Sequence, residues 1–377
     1  MKKSTNYFRS LALIMLSIAV LVASAAGCAG SGTDQTTSAS TTQAPSTTES
    51  TTAPVESESS EATDATTESS EPANVELPDV MRVAALKGPT GMGIAKMVKE
   101  SDSDNYDQNY EFSFAGSPDE LTAGLISGQL DIAALPTNLA SVLYHKTEKN
   151  IQLLAINTLG VLYILEAGDT VQEFKDLAGK EILATGQGAV PEYVLSKLIT
   201  DSGIENTTVS YKAEHSELAS LAISGDADLV MLPEPFVTTV LSKREDMRLA
   251  LDLTQVWQEN QTAQGAEGDL AMGCLAVRRE FAEQYPEAIE TFLQEYQKST
   301  EFANDEPEAA GELIAEYGIM ADAGLVVKAI PNCYITMVSG DEMKSVLNPL
   351  LETLLAANPK SIGGALPEDD FYYVGQE

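Results

Sequence analysis

From residue 81 onward, short apolar runs alternate with stretches whose apolar residues recur every three or four positions, which predicts strands and helices in turn. Met81 to Leu86 reads as a strand, Gly88 to Gly93 as a glycine-rich turn, and Ile94, Met97 and Val98 as the inner face of a helix. Tyr110, Phe112 and Phe114 alternate as a second strand. Ser117 and Glu120 around Pro118 have the form of a capping box with proline at the first helical position. Gly128 ends that helix, and Ile132 to Leu135 form a third strand. The same order returns: strand Glu181 to Ala184, glycine turn Thr185 to Gly188, helix through Val190, Val194, Leu195 and Leu198, strand Thr208 to Lys212, helix Leu218 to Ser224, strand Leu229 to Leu232. This is the pattern of βαβ units and a largely parallel sheet.

The recurrence is a duplication. Shifting the chain by 97 residues over 120–138 gives eight identities in 19 positions, pairing Glu120 with Glu217, Ser127-Gly128 with Ser224-Gly225, Asp131 with Asp228 and Leu135-Pro136 with Leu232-Pro233. Shared apolar patterning accounts for matched Ile and Leu, but not for Ser-Gly, Asp and Pro in one register. Two lobes built from one repeated unit follow. In such lobes ligands sit outside the carboxyl ends of the strands, where helix N-termini present free N–H groups. Those ends are Gly88 to Gly93, Gly116-Ser117 and Pro136-Thr137-Asn138 in the first lobe, and Gly186 to Glu192 with Pro233-Glu234-Pro235 in the second. All are expected to face one cleft.

Ahead of the lobes the composition changes. Lys2, Lys3 and Arg9 precede an apolar run from Leu11 to Ala23, then small residues and Cys28, the layout of a bacterial export signal. The 16 residues from Leu11 to Ala26 fall short of the roughly 20 that span a bilayer. Ala25-Ala26-Gly27-Cys28 resembles a lipobox, which marks Cys28 for lipidation. From Ser31 to Ser70, 22 of 40 residues are Ser or Thr, too polar to offset the entropy of ordering, and this reads as a flexible tether. Export leaves Cys274 and Cys333 either paired or as two buried free thiols.

The 377 residues carry 22 bases against 57 acids, a net charge of −35, with 48 of the acids and 19 of the bases from Asp79 onward. A surface this negative repels phosphate backbones and excludes nucleic acid as the main partner. Two His and three Cys at no ligand-like spacing exclude a Cys/His zinc site. Gly88 to Gly93 has no Lys-Ser/Thr pair after its last glycine and is no nucleotide loop.

Lipobox, tether and duplicated lobes together resemble a substrate-binding lipoprotein of an ABC importer. The opening Leu86-Lys87-Gly88-Pro89-Thr90-Gly91, the phrase Asp176-Leu177-Ala178-Gly179-Lys180, Leu232-Pro233-Glu234-Pro235-Phe236, and the run Arg279-Glu280-Phe281 to Tyr285-Pro286 narrow this to the nitrate/sulfonate/taurine and thiamine-precursor binding proteins. The resemblance covers about 80–377. It implies an α/β type II periplasmic binding protein fold, two Rossmann-like lobes joined by a two-crossing hinge, with crossings near Asn157 to Leu165 and Asp269 to Val277. The implied organisation is a signal peptide at 1–27, a disordered tether at 28–78, a first lobe from 79–162 plus 269–377 and a second lobe at 163–268. The loops hold no Arg and only Lys87 at one edge, which weighs against nitrate. The fungal pyrimidine-synthesising relatives' cysteine-rich signature is absent, which weighs against a self-consuming enzyme.

The expected ligand contacts are Gly88, Thr90, Gly91, Met92, Ser117, Pro136, Thr137, Asn138, Thr158 at the first crossing, Gln187, Gly188, Ala189, Tyr193 and Glu234. Thr137 and Asn138 also suit helix capping, and Glu234 suits either a cleft carboxylate or an ion pair between lobes. Of Tyr163, Tyr193, Phe236 and Trp257, only Tyr193 adjoins a glycine turn and suits stacking on a ligand; the others suit the core. His145 and His215 suit the surface. No Ser-His-Asp, Cys-His or metal constellation has a workable spacing, so a non-enzymatic role without a cofactor is expected. The partners implied are a small organic or oxyanion-bearing molecule, an ABC permease, and the membrane through the lipid anchor of a monomer on the extracytoplasmic face. A ligand-sensing adaptor and an enzyme on the same fold are the alternatives.

Overall fold

The structure, a computed structural model, describes residues 77–375. The signal peptide, Cys28 and the tether up to residue 76 lie outside the described residues.

The chain opens with β1 (Met81–Leu86), α1 (Pro89–Met92), α2 (Ala95–Asp102), β2 (Tyr110–Ala115), α3 (Pro118–Ser127), β3 (Ile132–Pro136), α4 (Thr137–Lys146) and β4 (Ile151–Thr158). It continues with β5 (Leu162–Ala167), β6 (Glu181–Thr185), α5 (Val190–Asp201), β7 (Thr208–Lys212), α6 (His215–Ser224), β8 (Leu229–Pro233), α7 (Phe236–Leu241), β9 (Met247–Asp252) and α8 (Leu253–Ala263). The last part is β10 (Gly273–Arg278), α9 (Arg279–Gln284), α10 (Pro286–Asp305), α11 (Pro307–Glu316), α12 (Ala323–Ala329), β11 (Ile335–Ser339) and α13 (Glu342–Ala357).

Two sheets result, ordered β11-β4-β10-β3-β1-β2 and β7-β6-β8-β5-β9. β1 lies between two parallel neighbours and is apolar from Val83 onward, as a strand covered on both faces must be, with Arg82 at its start paired to Asp131. β2, at the sheet edge, alternates buried Tyr110 with exposed Glu111. The duplication is visible in the order: β2-β1-β3 and β7-β6-β8 are the same parallel triplet. Gly128 and Gly225 end the matching helices α3 and α6 at φ 71° and 85°, a left-handed cap glycine takes without strain.

The largely parallel sheet expected from the pattern is corrected here, because each sheet is mixed. β10 runs antiparallel to β3 and β4, and β5 runs antiparallel to β8 and β9. The reason is the route of the chain. It leaves the first sheet after Thr158, at the carboxyl edge, and enters β5 at Leu162 opposite Pro233, the carboxyl end of β8. It returns into β10 at Gly273, opposite Pro136 and Thr158. A strand that starts at the carboxyl ends of its neighbours must run against them.

The apolar core sits in three clusters. One lies under α2 and α10, one inside the second sheet's α6 and α7, and a third spans both sheets through Leu253, Trp257, Leu270 and Ala271.

Candidate functional site

The crossings bring the carboxyl ends of β3, β4 and β8 together with the first residues of β5 and β10. On the first sheet's side, Asn157 is buried at the end of β4. Its Nδ2 donates to the Thr90 carbonyl at 3.0 Å and to the Tyr296 hydroxyl at 3.1 Å, and its Oδ1 accepts from Thr158 Oγ1 at 3.2 Å. This amide pins the glycine turn to the crossing, and the sequence reading passed over it.

Several expected ligand contacts are accounted for by the fold instead. The Met92 side chain is fully buried in the core, because α1 turns it under the sheet. Gly91, in α1, is required by the end of β1: a Cβ there would stand 2.5 Å from the Leu86 carbonyl. Gly88, at φ 101°, turns the chain and donates its N–H to the Ile319 carbonyl at 3.3 Å. Ser117 caps α3 by accepting from the Asp119 N–H at 3.2 Å. Thr137 Oγ1 donates to the Ala271 carbonyl at 2.7 Å, and Asn138 Nδ2 donates to the Ser361 carbonyl at 3.1 Å. Thr137 and Asn138 therefore tie α4 to the return crossing and to the C-terminal segment. Pro136 is half-buried at the end of β3 beside Gly273.

On the second sheet's side, Gln187, Gly188 and Ala189 are exposed, and the Gly188 N–H is taken by the Glu192 carboxylate. An acid in that position opposes an anionic ligand at this turn. Tyr193 OH donates to the Gly188 carbonyl at 3.2 Å and accepts from Asn358 Nδ2 at 3.0 Å. Tyr193 also lines an open cavity of about 580 Å³ between α5, the end of α8 and α13, with Lys197, Gln261, Gln264, Pro349 and Glu352 among its walls. None of the other expected contact residues lines it.

Glu234 is 3% exposed and does not project into open space. Its carboxylate accepts from the Thr238 N–H at 3.1 Å, Thr238 Oγ1 at 2.8 Å and Asn332 Nδ2 at 3.1 Å. The Asn332 carbonyl in turn accepts from Tyr163 OH at 2.8 Å, so Asn332 holds the second sheet to the segment before β11. Burial pushes the Glu234 carboxyl above its usual 4.5 despite the three donors. The native state then holds this proton more tightly than the unfolded chain, and the group costs stability as pH rises above about 4.5. Glu234→Gln removes the charge but turns an amide NH2 towards a donor such as the Thr238 N–H, so the variant should gain in melting temperature relative to the parent as pH rises from 4.5 to 7.5. A melting-temperature difference that does not change with pH contradicts it.

Neither histidine is simply on the surface. His215 Nδ1 lies 2.7 Å from Thr185 Oγ1, its ring centroid stands 5.3 Å from that of Phe236, and burial holds its pKa below the usual value. It therefore stands neutral at the carboxyl edge of β6. The 97-residue offset places it opposite Pro118, next to Ser117, which was the signal available for it. His145 Nε2 lies 2.8 Å from the Ala365 carbonyl and packs beneath the C-terminal segment. Cys274 and Cys333 are both buried and free. Among the described residues no three His, Cys, Asp or Glu side chains gather as a metal site.

A family model described as "Menaquinone biosynthesis" matches residues 95–342. An ABC transporter protein from Parabacteroides distasonis is 24% identical, with a TM-score of 0.67 over 79% of this chain and 99% of its own. The periplasmic aliphatic sulphonate binding protein SsuA from Escherichia coli is 15% identical, with a TM-score of 0.61 over 80% of this chain and 94% of its own. The ligand-binding component of an ABC-type import system from Staphylococcus aureus is 15% identical, with a TM-score of 0.59 over 78% and 96%. No curated protein sequence matches. At these identities the shared feature is the two-lobe α/β fold, in agreement with the resemblance drawn from the sequence; the menaquinone biosynthesis family was not named by that resemblance.

Proposed function

This chain belongs to the menaquinone biosynthesis family, and we propose that it serves as the solute-binding component of an ABC importer, closing two lobes on a small organic molecule. The observation that carries this reading is the pair of crossings, Thr158 to Leu162 and Asp252 to Gly273, on which all the converging strand ends abut. Two adjacent crossings form a hinge, and a ligand touching both lobes favours the closed arrangement by its differential affinity. The lobes are assigned as 79–162 plus 269–377 and 163–268, in keeping with the two sheets. The printed names of the structural relatives, an ABC transporter protein and importer components, support the role. The protein acts as an extracytoplasmic monomer that hands its ligand to a permease, held to the membrane by lipidated Cys28, and no described helix is long and apolar enough to cross.

The family's description favours a second reading, an enzyme that transforms a ligand in the same cleft. One experiment separates the two. The molecules that copurify with the full chain are identified by mass spectrometry, removed, and added back while small-angle scattering is recorded. The solute-binding reading expects a smaller radius of gyration and a ligand recovered with unchanged mass. Recovery of a product of different mass supports the enzyme, and an unchanged radius rejects the hinge.

A further inference from the structure

The glycine turn of the second lobe, Gly186 to Ala189, has little packing to hold it. Gln187, Gly188 and Ala189 are exposed, and a Cβ on Gly188 would meet no atom within 4 Å. Two side chains of α5 fasten the turn instead. The Glu192 carboxylate takes the Gly188 N–H, and Tyr193 OH donates to the Gly188 carbonyl at 3.2 Å. Among the described residues no hydrogen bond joins residues 187–189 to the first lobe except through Tyr193.

The Tyr193 hydroxyl in turn accepts from Asn358 Nδ2 at 3.0 Å, and both residues are half-buried. Asn358 follows α13 and is itself held on several sides. Its Oδ1 caps the one-turn helix Pro359–Ile362 by accepting from the Lys360 N–H at 3.3 Å, and its carbonyl accepts from Ser361 Oγ at 2.7 Å. The Ser361 carbonyl accepts from Asn138 Nδ2 at 3.1 Å and the Ile362 carbonyl from Ser141 Oγ at 2.7 Å, while the Ile362 side chain is buried. Asn358 is thereby fixed to α4, which starts at the carboxyl end of β3. A run of hydrogen bonds joins Asn138 at one strand end to Gly188 at another, and it bypasses both crossings.

The direction of these bonds gives them their effect. A phenol hydroxyl carries one proton, and with the Asn358 N–H on its oxygen that proton points to the Gly188 carbonyl. Each bond polarises the next. Beside the pair, α5 and α13 face each other across the open cavity of about 580 Å³, with Ser196 and Thr200 on one wall and Thr353 and Ala356 on the other. With a void there in place of close packing, the polar pair carries the tie. We infer that Tyr193 and Asn358 form a clasp between the lobes, through which the first lobe orders the second lobe's glycine turn. Tyr193 then acts by holding backbone, where stacking on a ligand was expected of it. Parting the lobes breaks the Asn358 bond and leaves the turn to its own helix, which couples closure to the order of the turn. The inference rests on the solute-binding reading and specifies how its two lobes are joined.

Hydrogen–deuterium exchange of the full-length protein, freed of copurified molecules, tests the clasp. Asn358→Ser keeps an oxygen to cap Lys360 and removes the amide donor. It is expected to speed exchange of the amides over 188–193 about fivefold, with residues 359–364 and α6 at the parent's rate. Tyr193→Phe should speed the same amides at least as much, and the double variant should be no faster than Tyr193→Phe alone. Parent rates over 188–193 in Asn358→Ser, or effects of the two substitutions that multiply, overturn the clasp. Equal acceleration of α6 overturns it too, since that marks a general loss of stability in the lobe. None of these results bears on the hinge, which falls only if the scattering radius stays unchanged.

Discussion

Asp131→Ala is expected to cost about 3–5 kcal/mol, because it strips a fully buried carboxylate from two guanidinium groups. Asp131 accepts from the Arg82 N–H at 2.9 Å, from Arg82 Nε at 2.9 Å and Nη2 at 2.8 Å, and from Arg278 Nη2 at 2.8 Å. Its side chain is 0% exposed, and it joins β1, β3 and β10 at the end opposite the cleft. Removing it leaves Arg278, 18% exposed, with its main partner gone. The duplicated position supplies the control. Asp228 pairs with Arg244 at 2.6 Å, but its side chain is 68% exposed. Asp228→Ala should therefore cost less than about 1 kcal/mol. Urea unfolding of both variants checks the contrast, and similar midpoints for the two would contradict it.

Gly160→Val is expected to do the greatest damage to binding. Any Cβ at Gly160 overlaps Thr254 Oγ1 at 2.1 Å, and a branched side chain also meets Leu270, so the outbound crossing must lift from α8. Overpacking of this kind costs about 3 kcal/mol, and if the closed arrangement alone carries that cost, ligand affinity falls about a hundredfold. Gly188→Ala is the comparison. Gly188 sits at φ 75° with nothing within 4 Å of a Cβ, so it should lose about 1 kcal/mol of stability and little affinity. Calorimetric titration with the copurified molecule distinguishes the two variants. A Gly188 variant that loses as much affinity as the Gly160 variant would restore the glycine turn as the contact surface.

Much of this architecture was written in local patterning. The strands at Met81, Tyr110, Thr208 and Leu229 begin where alternation or continuous apolar runs begin, because the pleat turns successive side chains to opposite faces whatever lies beyond. Ser117, Gly128 and Gly225 mark helix ends because capping is satisfied within a few residues. The repeat was legible for the same reason: Asp131 and Asp228 stand at equivalent strand starts, whether or not they meet the same partners.

The candidate site was legible only as a set of strand ends. Sequence proximity to a strand end does not say whether a hydroxyl faces a ligand or a neighbouring carbonyl. Thr137 is settled by Ala271, Asn138 by Ser361 and Glu234 by Asn332, partners 134, 223 and 98 residues away. Nothing in the local sequence encodes such distances. The antiparallel strands β5 and β10 escaped for a related reason, since their direction is set by where the crossings enter each lobe.

The sequence by itself determined the elements of the two repeated units, the duplication and the acidic charge, because these rest on side-chain periodicity, capping and charge that act over a few residues or over the whole composition. Only the tertiary structure decided which polar groups are spent on the fold and which remain unpaired. Thr254, Trp257 and Gln261 look like an ordinary inward helical stripe until the crossings and α13 close over them, when burial removes water from atoms that no neighbour replaces.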